Sequence, residues 1–413
     1  MAIIKPFQAI RPTRDKAALA TSRSYEAYSK KELRSQLTFN PYSFLHIIKP
    51  GYGDNTKTSE EERFKRIRAT YTNFKHQNIY QKDAQPCFYL HHKTYKQDLF
   101  WGIIGIAHTG DYQNNVIKKH EDTLEERESL FANYLETVGF NAEPVLLTYP
   151  ENEYLNRLNN LYAQQRSEYE FMTRTGRLHK LWVINDPTDI AMIEREFGKM
   201  RALYIADGHH RCASSNYLAS RLKAKNKAHS GTENYNYFMS YLIADSNLKI
   251  SEYNRFVKDL NGLTKEVLLN KIKEYFIVEK LSLTKFKPRK KHQFSMYIEG
   301  TFYKLSLRDT TYKIKNALAD LDTRILHETI LKPLLGIDDL KTNDRISCKA
   351  AIYSKNQLKK EVDSGKYKVS FGLFPVSFEQ LKAVVNEDLK MPPKSTYIEP
   401  KLRSGLTIFE IID

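Results

Sequence analysis

The chain has 413 residues, 41% of them hydrophobic, with 65 Lys and Arg against 49 Asp and Glu for a formal charge of +16. That length supplies two to three domain-sized units, and the composition excludes an acidic solvating chain, a collagen-like chain and a disordered one. The positive excess favours an anionic partner: nucleic acid, an anionic membrane surface or a phosphorylated small molecule.

In chain order, Ile3-Ile4 and Phe44 to Ile48 read as strands, and a helix follows Gly51 and Gly53. Thr58 with Glu61 three residues on has the form of a capping box, and Phe64, Ile67, Tyr71 and Phe74 recur at helical spacing. Pro86 to His91 and Leu99 to Ile106 read as a hairpin of buried strands. A helix from Thr123, with Glu126 at the capping-box position, runs to about Val138. A strand at Val145 to Tyr149 precedes a helix over 151–166. A hairpin joins Tyr169–Thr173 to Leu178–Ile184 around Thr175-Gly176. A strand from Ala202 to Ala206 feeds a turn at Gly208 and a helix over 209–225, and Asn236 to Ala244 is a strand. Further on, a helix over 264–275, a strand meander over 276–314 and helices near 323–332 and 377–386 are predicted, the last capped by Ser377 with Gln380. Leu406 to Ile412 reads as a final strand. The pattern is a mixed α+β fold with too few βαβ units for a doubly wound sheet, divided at about 245 into an N-terminal part and a C-terminal α+β part over 246–413.

No run approaches the roughly 18 to 20 apolar residues that span a bilayer. Met1 to Phe7 lacks the apolar stretch of a secretory signal, and Cys87, Cys212 and Cys348 form no C-x-x-C pattern, which predicts a reducing cytoplasm. Lys287-Pro288-Arg289-Lys290-Lys291 falls where a hairpin turn belongs and reads as a solvated turn, with a nucleic-acid contact as the other reading.

The densest polar constellation is Asp207-Gly208-His209-His210-Arg211, set between an apolar strand and a helix whose apolar face continues at Ala213, Tyr217, Leu218 and Leu222. A helix N-terminus presents N–H groups and the positive end of its dipole, so it attracts phosphate. Arg211 adds a bidentate donor and the histidines add two more. A carboxylate beside phosphate is repelled unless it holds a metal or takes a proton, which makes Asp207 the candidate for either task. His209 and His210 point about 100° apart on a helix, so one ion is not readily shared between them.

This turn, the opening Ile4-Lys5-Pro6-Phe7-Gln8-Ala9-Ile10-Arg11-Pro12, the block Asn40-Pro41-Tyr42-Ser43-Phe44-Leu45-His46 and the segment Met391-Pro392-Pro393-Lys394-Ser395-Thr396-Tyr397 together resemble the domain-of-unknown-function family ten-fifteen. The resemblance implies a ParB/sulfiredoxin-like nucleotide-binding core and kinship with SerK-type free L-serine kinases. Sulfiredoxin chemistry needs a cysteine where His209 stands, and a ParB partition protein needs a helix-turn-helix after residue 245 where none is legible.

The implied activity is phosphorylation of free L-serine to O-phospho-L-serine from ATP or ADP with Mg²⁺, in a C-terminal part that packs on the core and contributes site residues. The alternative is a ParB-like, nucleotide-dependent nucleic-acid-binding or regulatory protein without turnover. On the kinase reading nucleic acid and membrane are not partners, Glu26 and Asp207 are the catalytic carboxylates, and Asp207 is also the magnesium ligand. Gly208, His209, His210 and Arg211 grip the nucleotide phosphates with His120, Glu121 and Thr123, the last three resembling the family's His-Glu-x-Thr segment. Ser43, His46, Arg255 and Lys394 hold the substrate. Family members carry Tyr-Asp where this chain has Tyr25-Glu26, a departure of one methylene.

Overall fold

The computed structural model describes residues 1–53, 58–282, 285–351 and 356–412. The chain is mixed α+β and divides into two compact units, Met1–Leu248 with Pro400–Asp413, and Lys249–Glu399. The tail that the sequence reading grouped with the C-terminal part thus belongs to the first unit.

The first unit is built on a nine-stranded mixed sheet. Across it run Ile117–Lys118, Leu203–Asp207, Val145–Tyr149, Tyr237–Ala244, Asp98–His108, Phe88–Tyr95, Leu178–Ile184 and Tyr169–Met172, with Ile4–Lys5 also pairing Asp98–His108. Helices Glu153–Ala163, Pro187–Gly198 and His209–Lys225 supply Leu155, Leu158, Ile193, Phe197, Cys212 and Ala213 to a core shared with Leu147, Ile205 and Trp182 of the sheet. Burying each large apolar side chain of this kind contributes about 1.5–3 kcal/mol. A second core joins Phe64, Ile67, Tyr71 and Phe74 of helix Glu60–His76 to Phe44, Tyr80, Phe140 and Ile408.

The second unit carries a six-stranded antiparallel sheet in the order Phe276–Leu281, Thr301–Leu307, Gln293–Ile298, Val369–Gly372, Tyr253–Val257, Ile346–Ala350. Its core includes Leu268 and Ile272 from helix Lys265–Ile272 and Ile325 and Leu326 from helix Asp322–Leu326. The expected meander is present, its residues 283–284 lying outside the described residues, and the Ser377–Gln380 capping box forms.

Four local expectations are corrected. Phe44 to Ile48 is not a strand: Leu45–Ile48 is a single helical turn, begun where the Ser43 hydroxyl accepts the Leu45 N–H. A short apolar run has no period of its own, and this local bond decides it. Ser59, not Thr58, caps the next helix by accepting from Glu62 N. The helix expected from Thr123 starts at Glu125, and Thr123 bonds Glu128 through its hydroxyl instead of capping. Of the final apolar segment only Phe409–Glu410 pairs as a strand, with Phe140–Asn141. Helix Pro187–Gly198 was not anticipated, although Asp186 capping Thr188 and Asp189 with Pro187 in the first turn is a start signal.

Candidate functional site

The strand Leu203–Asp207 runs antiparallel to Val145–Tyr149, and its register slips between Ile205 and Asp207. A bulge re-aims the side chain that follows it. Here it delivers Asp207 to the sheet end, where Gly208 (φ +100°) turns the chain into helix His209–Lys225. A Cβ on Gly208 would lie 2.9 Å from Nε and Nη2 of Arg211, because that side chain folds back over the turn. Arg211 Nη2 donates to Asp207 Oδ2 at 3.0 Å and Nη1 to the carbonyl of Pro144 at 3.0 Å. From the tail, Lys401 Nζ donates to Asp207 Oδ1 at 2.8 Å.

Asp207 therefore has one cation on each oxygen. Its surroundings would raise the carboxyl, but Lys401 first and Arg211 second outweigh them and hold it below its ordinary value. This is a third task for the carboxylate: it orients two cations. Both of its oxygens are engaged by cations, and among the described residues no group of three His, Cys, Asp or Glu side chains is arranged to hold a metal.

Beside this turn the structure brings together three more of the expected residues. The His120 N–H donates to His209 Nε2 at 3.4 Å, and the two buried rings meet edge to face at 4.3 Å. With Nε2 accepting, a neutral His209 carries its proton on Nδ1, which lies 3.7 Å from Glu121 Oε2. Glu121 Oε1 lies 3.9 Å from His120 Nε2. His210 is half-buried on the next position of the helix. Thr123 is occupied with Glu128.

Glu26 is exposed on the short 3₁₀ turn Tyr25–Ala27. The turn is held by its neighbours: Ser29 and Glu32 form a capping box, Arg23 lies 4.2 Å from the Tyr28 ring centre, and Lys49 lies 4.3 Å from that of Tyr25. Ser43 and His46 serve local structure, Ser43 as above and His46 through Nε2 at 3.0 Å from the Asn40 carbonyl. In the second unit Arg255 is 1% exposed and donates to the carbonyls of Tyr253 and Lys394, each at 3.0 Å. Lys394 is exposed, with its ammonium 5.6 Å from the Tyr253 ring centre.

Two residues that no motif announces, Lys401 and Arg403, join the parts of this site. Two positions beyond Lys401, Arg403 donates from Nε to Thr21 Oγ1 at 2.8 Å and from Nη2 to the Thr21 carbonyl. Ser404 and Ser22 exchange backbone bonds at 2.9 and 3.1 Å. The stretch 401–404 thus ties the segment leading into Glu26 to the Asp207 turn. Pro400 and Gly405 bracket it in sequence, a rigid start and a free turn around alternating cations.

The basic run, by contrast, is neutralised in part: Lys287 pairs with Glu252 at 3.2 Å and Lys291 with Asp320 at 2.8 Å. Among the described residues no helix is long and apolar enough to cross a membrane.

The family described as Protein of unknown function (DUF1015) matches residues 4–324, and the chain belongs to that family. No curated protein matches it. Among solved structures it is similar to a C-terminally truncated SbnI from Staphylococcus aureus, at 13% identity and TM-score 0.37 over 73% of this chain and 87% of that one. It is also similar to a free serine kinase in complex with AMP, at 13% identity and TM-score 0.34 over 76% and 94%. A third is a conserved hypothetical protein from Pyrococcus furiosus, at 14% identity and TM-score 0.33 over 71% and 89%.

Proposed function

We propose that this member of the DUF1015 family is a phosphotransferase that moves a phosphoryl group from ATP or ADP to the hydroxyl of free L-serine, on a ParB/sulfiredoxin-like core. The observation that carries the reading is the Asp207 turn, where a carboxylate kept ionised fixes Arg211 and Lys401 at the start of helix His209–Lys225. Phosphoryl transfer asks the protein mainly for position and for charge to offset that of the phosphates. The helix start, Arg211 and the His209 Nδ1–H of the turn, with Lys401 reaching it from the tail, provide donors for phosphate.

The nucleotide enters as its magnesium complex, and the metal is part of the substrate. On this reading the serine oxygen bonds to the transferred phosphorus as the bond to the leaving nucleotide oxygen breaks. The serine hydroxyl proton passes to the Glu26 carboxylate. The exposure of Glu26 on a turn that does not use its carboxylate for support agrees with that role. Second-unit residues such as Arg255 and Lys394 then act on the chain's own backbone and surface and are not required for the transfer. The reading belongs to the cytoplasm, where nucleotides and free amino acids meet.

Purified protein incubated with L-serine, Mg²⁺ and each common nucleoside di- or triphosphate is expected to yield O-phospho-L-serine with at least one adenine nucleotide. Absence of phosphoserine with every nucleotide would remove the proposal. Asp207→Asn should abolish turnover while the chain stays folded, and unchanged turnover would refute the role of that carboxylate.

A further inference from the structure

The first unit holds a second concentration of positive charge that the Asp207 turn does not use. Lys93 of strand Phe88–Tyr95 is 3% exposed, and its ammonium donates to the Lys401 carbonyl at 2.9 Å. In the sheet register Lys93 stands opposite His179, and His91 lies two positions along the same strand on the same face. Arg403 lies over Phe171, which stacks on His179 with ring centres 5.3 Å apart, and His179 stacks on His91 at 5.2 Å.

Among the described residues no carboxylate stands within ion-pair distance of Arg403 or Arg177. Burial pushes the Arg403 guanidinium down to about 10, with Arg23 and Arg177 among the charges that act on it. A packed guanidinium is ordinarily matched by a carboxylate, because the desolvation of a lone charge is costly. Two buried polar atoms of the first unit also lack a hydrogen-bond partner, His91 Nδ1 and Ser22 Oγ, on residues 2% and 1% exposed. Ser22 is the residue whose backbone pairs with Ser404, next to Arg403. Arg403 itself is partly exposed.

We propose that Arg403 and Lys93, with Ser22 and His91 beside them, form a binding site for the carboxylate of a free amino acid. The inference rests on the phosphotransferase reading for its choice of carboxylate. The phosphate donors are already gathered on the Asp207 turn, and the 401–404 stretch sets Arg403 between that turn and the segment leading to Glu26. A carboxylate gripped by the planar guanidinium supplies the missing counter-charge. It also leaves the side-chain hydroxyl of the amino acid to be directed towards the carboxylate on the Tyr25–Ala27 turn.

The test is calorimetric titration of the full chain with L-serine and with L-serinol, which lacks the carboxylate, together with ADP as a separate titrant. The wild type should bind L-serine at least about tenfold more tightly than L-serinol, the usual weight of a charge-assisted bond. Arg403→Gln and Lys93→Met should each lose L-serine affinity on the order of tenfold while ADP affinity stays as in the wild type. Lys93→Met covers the case in which Arg403→Gln fails to fold through its lost bonds to Thr21. Equal affinity for L-serine and L-serinol, or wild-type L-serine affinity in either folded variant, overturns the site. If phosphoserine never forms but L-serine binding depends on Arg403, the kinase reading falls and the site stands. If phosphoserine forms with an unchanged KM for serine in Arg403→Gln, the site falls and the reading stands.

Discussion

Gly208→Ala tests the physical basis of the turn directly. At φ +100° a side chain strains the backbone, at a cost of about 1–2 kcal/mol for a non-glycine residue in left-handed conformation. The new Cβ would also stand 2.9 Å from two nitrogens of Arg211, so that side chain must withdraw from Asp207. The pair is about one-third exposed on each side, which limits that loss to about 0.2–1 kcal/mol. The expected total is about 1.2–3 kcal/mol. Gly176→Ala is the control, since its φ is +70° and nothing lies within 4 Å of a Cβ there, leaving the backbone cost alone. Both tryptophans, Trp101 and Trp182, belong to the first unit, so guanidinium unfolding followed by tryptophan fluorescence reads that unit. Equal destabilisation by the two substitutions would refute the claim that Arg211 folds over Gly208.

Acid should weaken the first unit in two stages. His91 is pushed down to about 3 and His179 well below 6.5, by burial first and then by each other's neighbourhood of cations. Because the folded values lie below the unfolded one, stability is full above pH 6.5 and falls beneath it, by up to about 1.4 kcal/mol per pH unit for each proton. The fluorescence-detected unfolding midpoint should therefore drop between pH 7 and pH 5, and an unchanged midpoint would contradict the buried neutral pair. Asp207, held below its ordinary 3.8, contributes stability above that value that is lost as pH falls past it. Asp207→Asn should remove this lowest part of the acid profile, and a profile of the same shape would count against the double pairing. Lys401→Met should slow phosphoserine formation on the order of 100-fold, as loss of one preorganised donor does, and a wild-type rate would exclude the ammonium from the site. Glu26→Gln should lower turnover by a similar factor with stability within about 0.5 kcal/mol, as for an exposed side chain; unchanged turnover would remove Glu26 as the base.

The strand into Asp207 and the helix over 209–225 were legible almost to the residue, because an apolar run, a glycine and a helical period follow one another without ambiguity. The order of strands was not, since pairing such as Tyr237–Ala244 beside Val145–Tyr149 is set by packing rather than by neighbours in the chain. Local polar competition explains the misread starts: the Thr123 hydroxyl found Glu128, and Ser59 outcompeted Thr58. Within the site, Asp207, His209 and Arg211 stood in one motif, and His120 and Glu121 in another. Lys401 and Arg403 could not be read. Their partners lie 194 and 382 residues away, and nothing local to Pro400–Gly405 specifies either contact.

The +16 charge acquires a different meaning once these contacts are in place. Surface cations such as Lys287 and Lys291 have acidic partners and water around them, where each pair is worth little. Lys93, Arg403, Arg211 and Lys401 come from three distant parts of the sequence and converge in the first unit, with Asp207 as the carboxylate that directs two of them. Lys93 among them is buried, and charge held in a packed setting acts with greater strength than charge in water, whereas Arg211 and Lys401 stay partly exposed. Such an arrangement favours small anions that can enter and be enclosed over a long polyanion that needs a continuous exposed face. On the proposed reading the local excess, rather than the total, selects the ligand, and its division between the Asp207 turn and Arg403 suits two anionic groups.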